Sequence, residues 1–146
     1  IGEAHTHRSI SGMPDLTVSP AKISGARAFS MAGVSPSDID VLQLYDSFTI
    51  TVLLQLEDLG FCAKGEGGPF VESGRLAPGG ATPANTGGGG LSCLHTGMFG
   101  IFLLIEGASQ LWSECGNRQV ANTKLVLCNG VGGNLASSGT VILGVE

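Results

Sequence analysis

Leu125-Val126-Leu127-Cys128-Asn129-Gly130-Val131-Gly132-Gly133 is the stretch on which the reading of this chain turns. An apolar run carries Cys128 to a glycine-rich turn. Ser137-Ser138-Gly139 follow, and a second apolar run covers Thr140–Val145. The pattern is strand, turn, strand. It predicts Cys128 at the mouth of the turn, where a sheet ends and side chains meet solvent or substrate. The glycines let backbone N–H groups approach whatever the thiol touches.

Working back from this hairpin, a helix is expected over Gly97–Glu114. Met98, Phe99, Ile101, Phe102, Leu103, Leu104, Ile105, Ala108, Leu111 and Trp112 make it apolar on nearly every face. Such a helix is a buried one, between a sheet and other helices. Residues 61–84 carry glycines and prolines throughout and read as a long surface excursion. Val41–Tyr45 reads as a short strand. Phe48–Leu59 reads as a helix capped by Asp46 or Ser47 and ended by Gly60. Ser19-Pro20 starts a helix over Ala21–Ala32 that stops at Gly33. Residues 1–18 read as loop. The sum is an α/β layer fold with a mixed sheet.

Composition narrows the function. The chain has 146 residues, length for one core and not for two ordinary domains. Its net charge is −5 with only seven Lys and Arg, so it has no basic stripe for nucleic acid. The 24 glycines follow no collagen-like period, and no apolar run reaches membrane-spanning length, so no membrane span is expected. Cys62, Cys93, Cys115 and Cys128 form no CxxC pair, which predicts reduced thiols and a cytoplasmic setting. The opening Ile1-Gly2 reads as a cut inside a longer protein or as a processed subunit.

Two glycine runs invite a nucleotide-binding reading and fail it. Gly130–Gly133 is followed by a strand where a dinucleotide fold needs a helix N-terminus, and Gly87–Gly90 lacks a Gly-Lys-Ser/Thr ending. His5 and His7 read as solvated loop histidines, and no Cys/His set has zinc spacing, so no metal is expected. His95 lies between a four-glycine run and the apolar helix, where an imidazole can hold an anion or act as a base. Paired with Cys128, it suggests a thiol and an imidazole in one pocket. Tyr45, the one tyrosine, stands at a strand end, and by itself reads as a core aromatic with a paired hydroxyl.

Four ordered motifs carry a resemblance. Tyr45-Asp46-Ser47-Phe48 matches an Asn/His-Glu/Asp-x-Phe segment. Glu57-Asp58-Leu59-Gly60-Phe61-Cys62-Ala63-Lys64-Gly65-Glu66-Gly67-Gly68 matches an EDLGFC-like stretch with a glycine-rich sequel. Asn85-Thr86-Gly87-Gly88, leading to His95, matches Asn-Thr-x-Gly-Gly leading to Gly-His-Pro. Cys128-Asn129-Gly130-Val131-Gly132 matches Cys-x-Gly-x-Gly. Together they cover essentially the whole chain, which resembles the C-terminal half of the thiolase superfamily. The likeness is to sterol-carrier-protein-x type thiolases and thiolase-like lipid-transfer proteins.

The resemblance implies that residues 1–146 are a thiolase-like C-terminal domain, a layered α/β fold whose N-terminal half is absent. It implies that His95 activates a nucleophilic cysteine of that half and helps form an oxyanion hole. Cys128 would shuttle the proton of the enolate or departing acetyl unit. The Gly130 N–H would belong to a second oxyanion hole, where fixed donors meet developing charge. It further implies an acyl-CoA thioester as substrate, coenzyme A as co-substrate, no bound cofactor, a homodimer of the full-length protein, and room for a small accessory subunit. The isolated chain is expected to lack turnover and to expose an apolar face where the other half packs.

Two positions depart from the family pattern. Tyr45 stands where the family has Asn or His. His-Thr-Gly-Met-Phe-Gly, residues 95–100, is one residue shorter than the usual HPxGxxG. In these the chain resembles thiolase-like retro-aldolases, which cleave β-hydroxyacyl-CoA steroid side chains and in which a tyrosine takes over proton transfer. The leading expectation is acetyl transfer between acyl-CoA and CoA. Retro-aldol cleavage through Tyr45 is the alternative, and a non-catalytic acyl-CoA or lipid-binding module is a further one. Tyr45, His95 and Cys128 are expected to converge on one concave surface, and a Cys128 buried in the core far from His95 would remove the catalytic reading of both.

Overall fold

The computed structural model describes residues 1–93 and 97–145. Four strands, β1 (Gly2–His5), β2 (Val41–Leu44), β3 (Leu125–Gly132) and β4 (Ser137–Gly144), form one mixed sheet. Its order is β1-β4-β3-β2. The β1/β4 and β3/β4 pairs are antiparallel, and β2/β3 is parallel. The helices are α1 (Ala21–Ala32), α2 (Thr49–Asp58), α3 (Gly67–Glu72), α4 (Gly89–Ser92) and α5 (Gly100–Leu111). Among the described residues, no helix is long and apolar enough to cross a membrane.

Strand alternation divides the core into two layers. Leu42, Leu44 and Leu127 pack with Ala21 and Phe29 of α1 and Leu56 of α2. Val41, Val126 and Cys128 point to the other face and pack with Phe99 and Leu103 at α5. The α/β layering expected from the sequence is therefore present. The left-handed Gly33 ends α1 as expected, with its N–H donating to Phe29 O.

Four local expectations are corrected. Residues 1–18 are not all loop, because Gly2–His5 pairs with Ser137–Thr140 as an edge strand. Its four residues are too short to show a period. The excursion over residues 61–84 contains α3. Neither Asp46 nor Ser47 caps α2, whose preceding residue is Phe48; Asp46 has a different partner, described below. Finally, α5 is not buried all round. Leu103 and Gly107 face the sheet, while Ile101, Phe102, Ile105 and Trp112 stay exposed.

Candidate active site

The site is built where β2 ends. The Tyr45 N–H donates to Asn129 O at 3.0 Å, which carries the β2/β3 ladder one step past Leu44. Alternation puts the Tyr45 side chain on the α5 face, where its ring meets Phe99 edge-on at 5.6 Å. Half-buried Tyr45 lines two cavities. One, of about 460 Å³, is shared with Met98, Gly100, Gly130 and Ser137. The other, of about 670 Å³, is shared with Phe48, Ile50, Val131 and Leu135.

The chain around Tyr45 is pinned residue by residue. Asn85 places its side chain beside Leu44 like an added strand. The Leu44 N–H donates to Asn85 Oδ1 at 2.7 Å, and Asn85 Nδ2 donates to Leu44 O at 3.0 Å. The Tyr45 carbonyl accepts from Gln55 Nε2 at 2.7 Å. The buried Asp46 carboxylate accepts from the Gly90 N–H at 2.6 Å and the Leu91 N–H at 3.1 Å, which ties it to the start of α4. Gly89 must be glycine there. Its φ is +66°, and a Cβ would fall 2.2 Å from Asp46 Oδ2.

Cys128 is placed differently from the expectation. β3 does not end at the cysteine but continues to Gly132, so Cys128 lies mid-strand opposite Gln43 and Val141. It is 3% exposed, and its Sγ donates to Leu103 O at 3.4 Å. A Cβ on Gly107 would meet that sulfur at 2.8 Å, so α5 lies directly on the thiol. Burial pushes the thiol up to about 12, from 9.0. Cys128 lines neither cavity at Tyr45. The glycines that suggested a turn are accommodated inside the strand, and the turn comes only after Gly132.

The structure brings Tyr45 and Gly130 together in one cavity and leaves Cys128 sealed one step further into the sheet. His95 lies outside the described residues. Among the described residues, no group of His, Cys, Asp and Glu is placed to hold a metal ion.

The second motif proves to be scaffold. Asp58 Oδ2 accepts from the Ser19 N–H and Oγ, both at 2.7 Å, at the start of α1. Lys64 Nζ donates to Asp58 Oδ1 at 2.7 Å and pairs with Glu57 at 3.2 Å. Glu57 in turn accepts from the Gly67 N–H at 3.0 Å, at the start of α3. Burial raises the Glu57 carboxyl, but the Gly67 and Gly65 amides and Lys64 outweigh it and leave the carboxyl below its usual range.

Sequence reasoning missed the polar side chains behind the site. Gln55, Asn129, Ser138, Thr140 and Ser24 are fully or almost fully buried and joined in one network. Asn129 Oδ1 accepts from Ser138 Oγ at 2.9 Å and Thr140 Oγ1 at 2.7 Å, and Ser24 Oγ lies 2.8 Å from Thr140 Oγ1. The available signal was a glutamine inside the apolar run Val52–Leu56. A second cluster centres on Glu106, which pairs with Arg118 Nε at 3.0 Å and accepts from Thr86 Oγ1 at 2.7 Å.

Comparison with known proteins agrees with this architecture. The family model described as thiolase C-terminal domain-like matches residues 2–145. An acetyl-CoA acetyltransferase of Methanothermobacter thermautotrophicus is 40% identical over 121 residues, covering 82% of this chain and 32% of the relative. A steroid side-chain-cleaving aldolase of Thermomonospora curvata is 45% identical over 94 residues, covering 63% of this chain and 22% of the relative. Among solved structures, one titled "Ltp2-ChsH2(DUF35) aldolase" superposes with a TM-score of 0.83 at 31% identity. It is matched over 99% of this chain and 38% of that one. The chain thus spans no more than about a third of the curated relatives just named. With a mixed sheet between two helical layers, four motifs in order and a family match over nearly every residue, the chain belongs to the thiolase C-terminal domain-like family.

Proposed function

We propose that this chain is the C-terminal part of an enzyme that cleaves a β-hydroxyacyl-CoA by a retro-aldol reaction, with Tyr45 moving the proton. One observation carries the reading: Tyr45 opens onto two cavities, whereas Cys128 lies under α5 with its thiol pushed up to about 12. A proton shuttle must reach the reacting atom and exchange its proton near neutral pH. The reading is supported by Tyr45 being open to these cavities, whereas α5 closes Cys128 off from them. A phenol both donates and accepts a hydrogen bond, as this chemistry requires.

In the proposed reaction a base removes the β-hydroxyl proton and the Cα–Cβ bond breaks. Cβ leaves as a ketone or aldehyde. The electron pair stays on the α-carbon as a thioester enolate, which takes a proton to give the shortened acyl-CoA. Gly130, in the same cavity as Tyr45, is the proposed backbone contributor to enolate stabilisation. His95 is proposed to assist at the thioester. The full-length protein is proposed to act as a homodimer with a small accessory subunit.

Acetyl transfer with coenzyme A is the second reading. It draws on the 40% identity to the archaeal acetyltransferase over most of this chain, and it would give Cys128 the shuttle role. Substrate dependence separates the two. The full-length protein, given a β-hydroxyacyl-CoA and no free CoA, should release a carbonyl product and a shortened acyl-CoA, read by mass spectrometry. Turnover of a β-ketoacyl-CoA only, with an absolute need for free CoA, would establish acetyl transfer instead.

A further inference from the structure

We infer that Gln55 and Asn129 are positioning residues for Tyr45, acting together as a closed hydrogen-bond clamp on its backbone. This inference rests on the catalytic reading of Tyr45. The clamp has three links. The Tyr45 N–H donates to Asn129 O at 3.0 Å. The Tyr45 carbonyl accepts from Gln55 Nε2 at 2.7 Å. Asn129 Nδ2 donates to Gln55 Oε1 at 2.8 Å and closes the ring.

The arrangement orients itself. The carbonyls of Tyr45 and Thr51 only accept, so Gln55 turns Nε2 to them and Oε1 to Asn129. Asn129 must answer with Nδ2 and leave Oδ1 to accept from the Ser138 and Thr140 hydroxyls. The second Nε2 hydrogen of Gln55 goes to Thr51 O at 2.8 Å. Neither amide can flip without setting donor against donor or acceptor against acceptor. Gln55 and Asn129 are both fully buried, so a missing link leaves a polar group out of contact with bulk solvent.

Position explains the need. Tyr45 is the last residue held by the ladder before the chain turns toward α2, and its carbonyl takes a short bond from Gln55 Nε2 at 2.7 Å beside a longer one from Thr51 Oγ1 at 3.4 Å. The clamp fixes the peptide units on both sides of the Tyr45 Cα, and so the direction of its side chain into the cavity. Misplacement of a reacting group by about 1 Å can cost on the order of 100-fold in rate. The Asn129 that follows Cys128 in the last motif thereby has a role independent of the thiol.

A double-mutant cycle in the full-length protein tests the clamp with the β-hydroxyacyl-CoA as substrate. Gln55→Met keeps the bulk and removes the donor to Tyr45 O. It should lower kcat by roughly 10- to 100-fold with little change in KM. In a Tyr45→Phe background it should cost almost nothing more, because its effect passes through the phenol. Asn129→Asp is the second variant. It keeps the acceptor for Ser138 and Thr140 but turns the Gln55 oxygen toward Tyr45, and it should show the same pattern. Activity is read per folded protein by circular dichroism, so that whichever variant folds gives the result. Equal losses in both backgrounds would reduce the clamp to a structural role and overturn the inference. Wild-type kcat in Gln55→Met would overturn it too. Full activity of Tyr45→Phe alone would instead overturn the reading of Tyr45.

Discussion

At Cys128 the thiol is enclosed by Val126, Leu103 and the backbone of α5 at Gly107, two residues from the Gly130 that lines the cavity. Its burial makes a pH prediction with a definite sign. The unfolded thiol ionises from about 9, whereas the folded one keeps its proton to about 12. The unfolded state therefore binds fewer protons in that window. The stability from this group is whole below about pH 9 and falls as pH rises, by roughly 1.4 kcal/mol per pH unit. Burial also raises Cys62 and Cys115, so Cys128→Ala should flatten the alkaline slope in urea melts without abolishing it. Alkylation gives a second check: exposed Cys93 should react with iodoacetamide first, and Cys128 only on unfolding. Labelling of Cys128 as fast as Cys93 would contradict its placement.

At the scale of elements, the motif around Glu57, Asp58 and Lys64 joins the starts of α1 and α3 to the end of α2. Lys64→Met should leave the Asp58 carboxylate buried with only the Ser19 donors. That should lower stability by about 1–3 kcal/mol in a denaturant melt, with little effect on the Tyr45 cavity. An unchanged midpoint would show that Ser19 alone satisfies the carboxylate. The same elements show what the sequence discloses and what it hides. α1, α2, β2 and β4 were legible because periodicity, Ser19-Pro20 and the left-handed Gly33 and Gly60 are local signals. β1 was not, because four residues paired across the chain to β4 leave no pattern of their own. Tyr45 was legible as a strand-end residue. Cys128 misled because glycines that can make a turn also sit inside a strand, and the helix that covers the thiol is remote in sequence. The Gln55–Asn129 clamp depends on a pairing 74 residues apart and left only a polar residue in an apolar run as its trace.

For the molecule as a whole, the exposed apolar face of α5 is the notable surface. Phe102 is 50% exposed, Ile105 54% and Trp112 66%, all on the side of the helix away from the sheet. Large apolar side chains exposed together on one helix face mark a surface that packs against a partner. Residues 1–146 alone should therefore bind a hydrophobic dye or self-associate. Ile105→Lys with Trp112→Lys should suppress both and leave the thermal midpoint nearly unchanged. A monomeric, dye-silent parent chain would contradict this.

The central claim is that chemistry at this site runs through Tyr45 and not through Cys128. It is tested most directly by one ratio: turnover of a β-hydroxyacyl-CoA by the full-length protein carrying Tyr45→Phe, divided by that of the protein carrying Cys128→Ala. Positioned acid/base groups contribute on the order of 100- to 10,000-fold. The ratio should therefore lie about 100-fold or more below one, with Cys128→Ala close to wild type. A ratio well above one, with Cys128→Ala inactive and Tyr45→Phe nearly intact, would contradict the account and return the shuttle to the thiol.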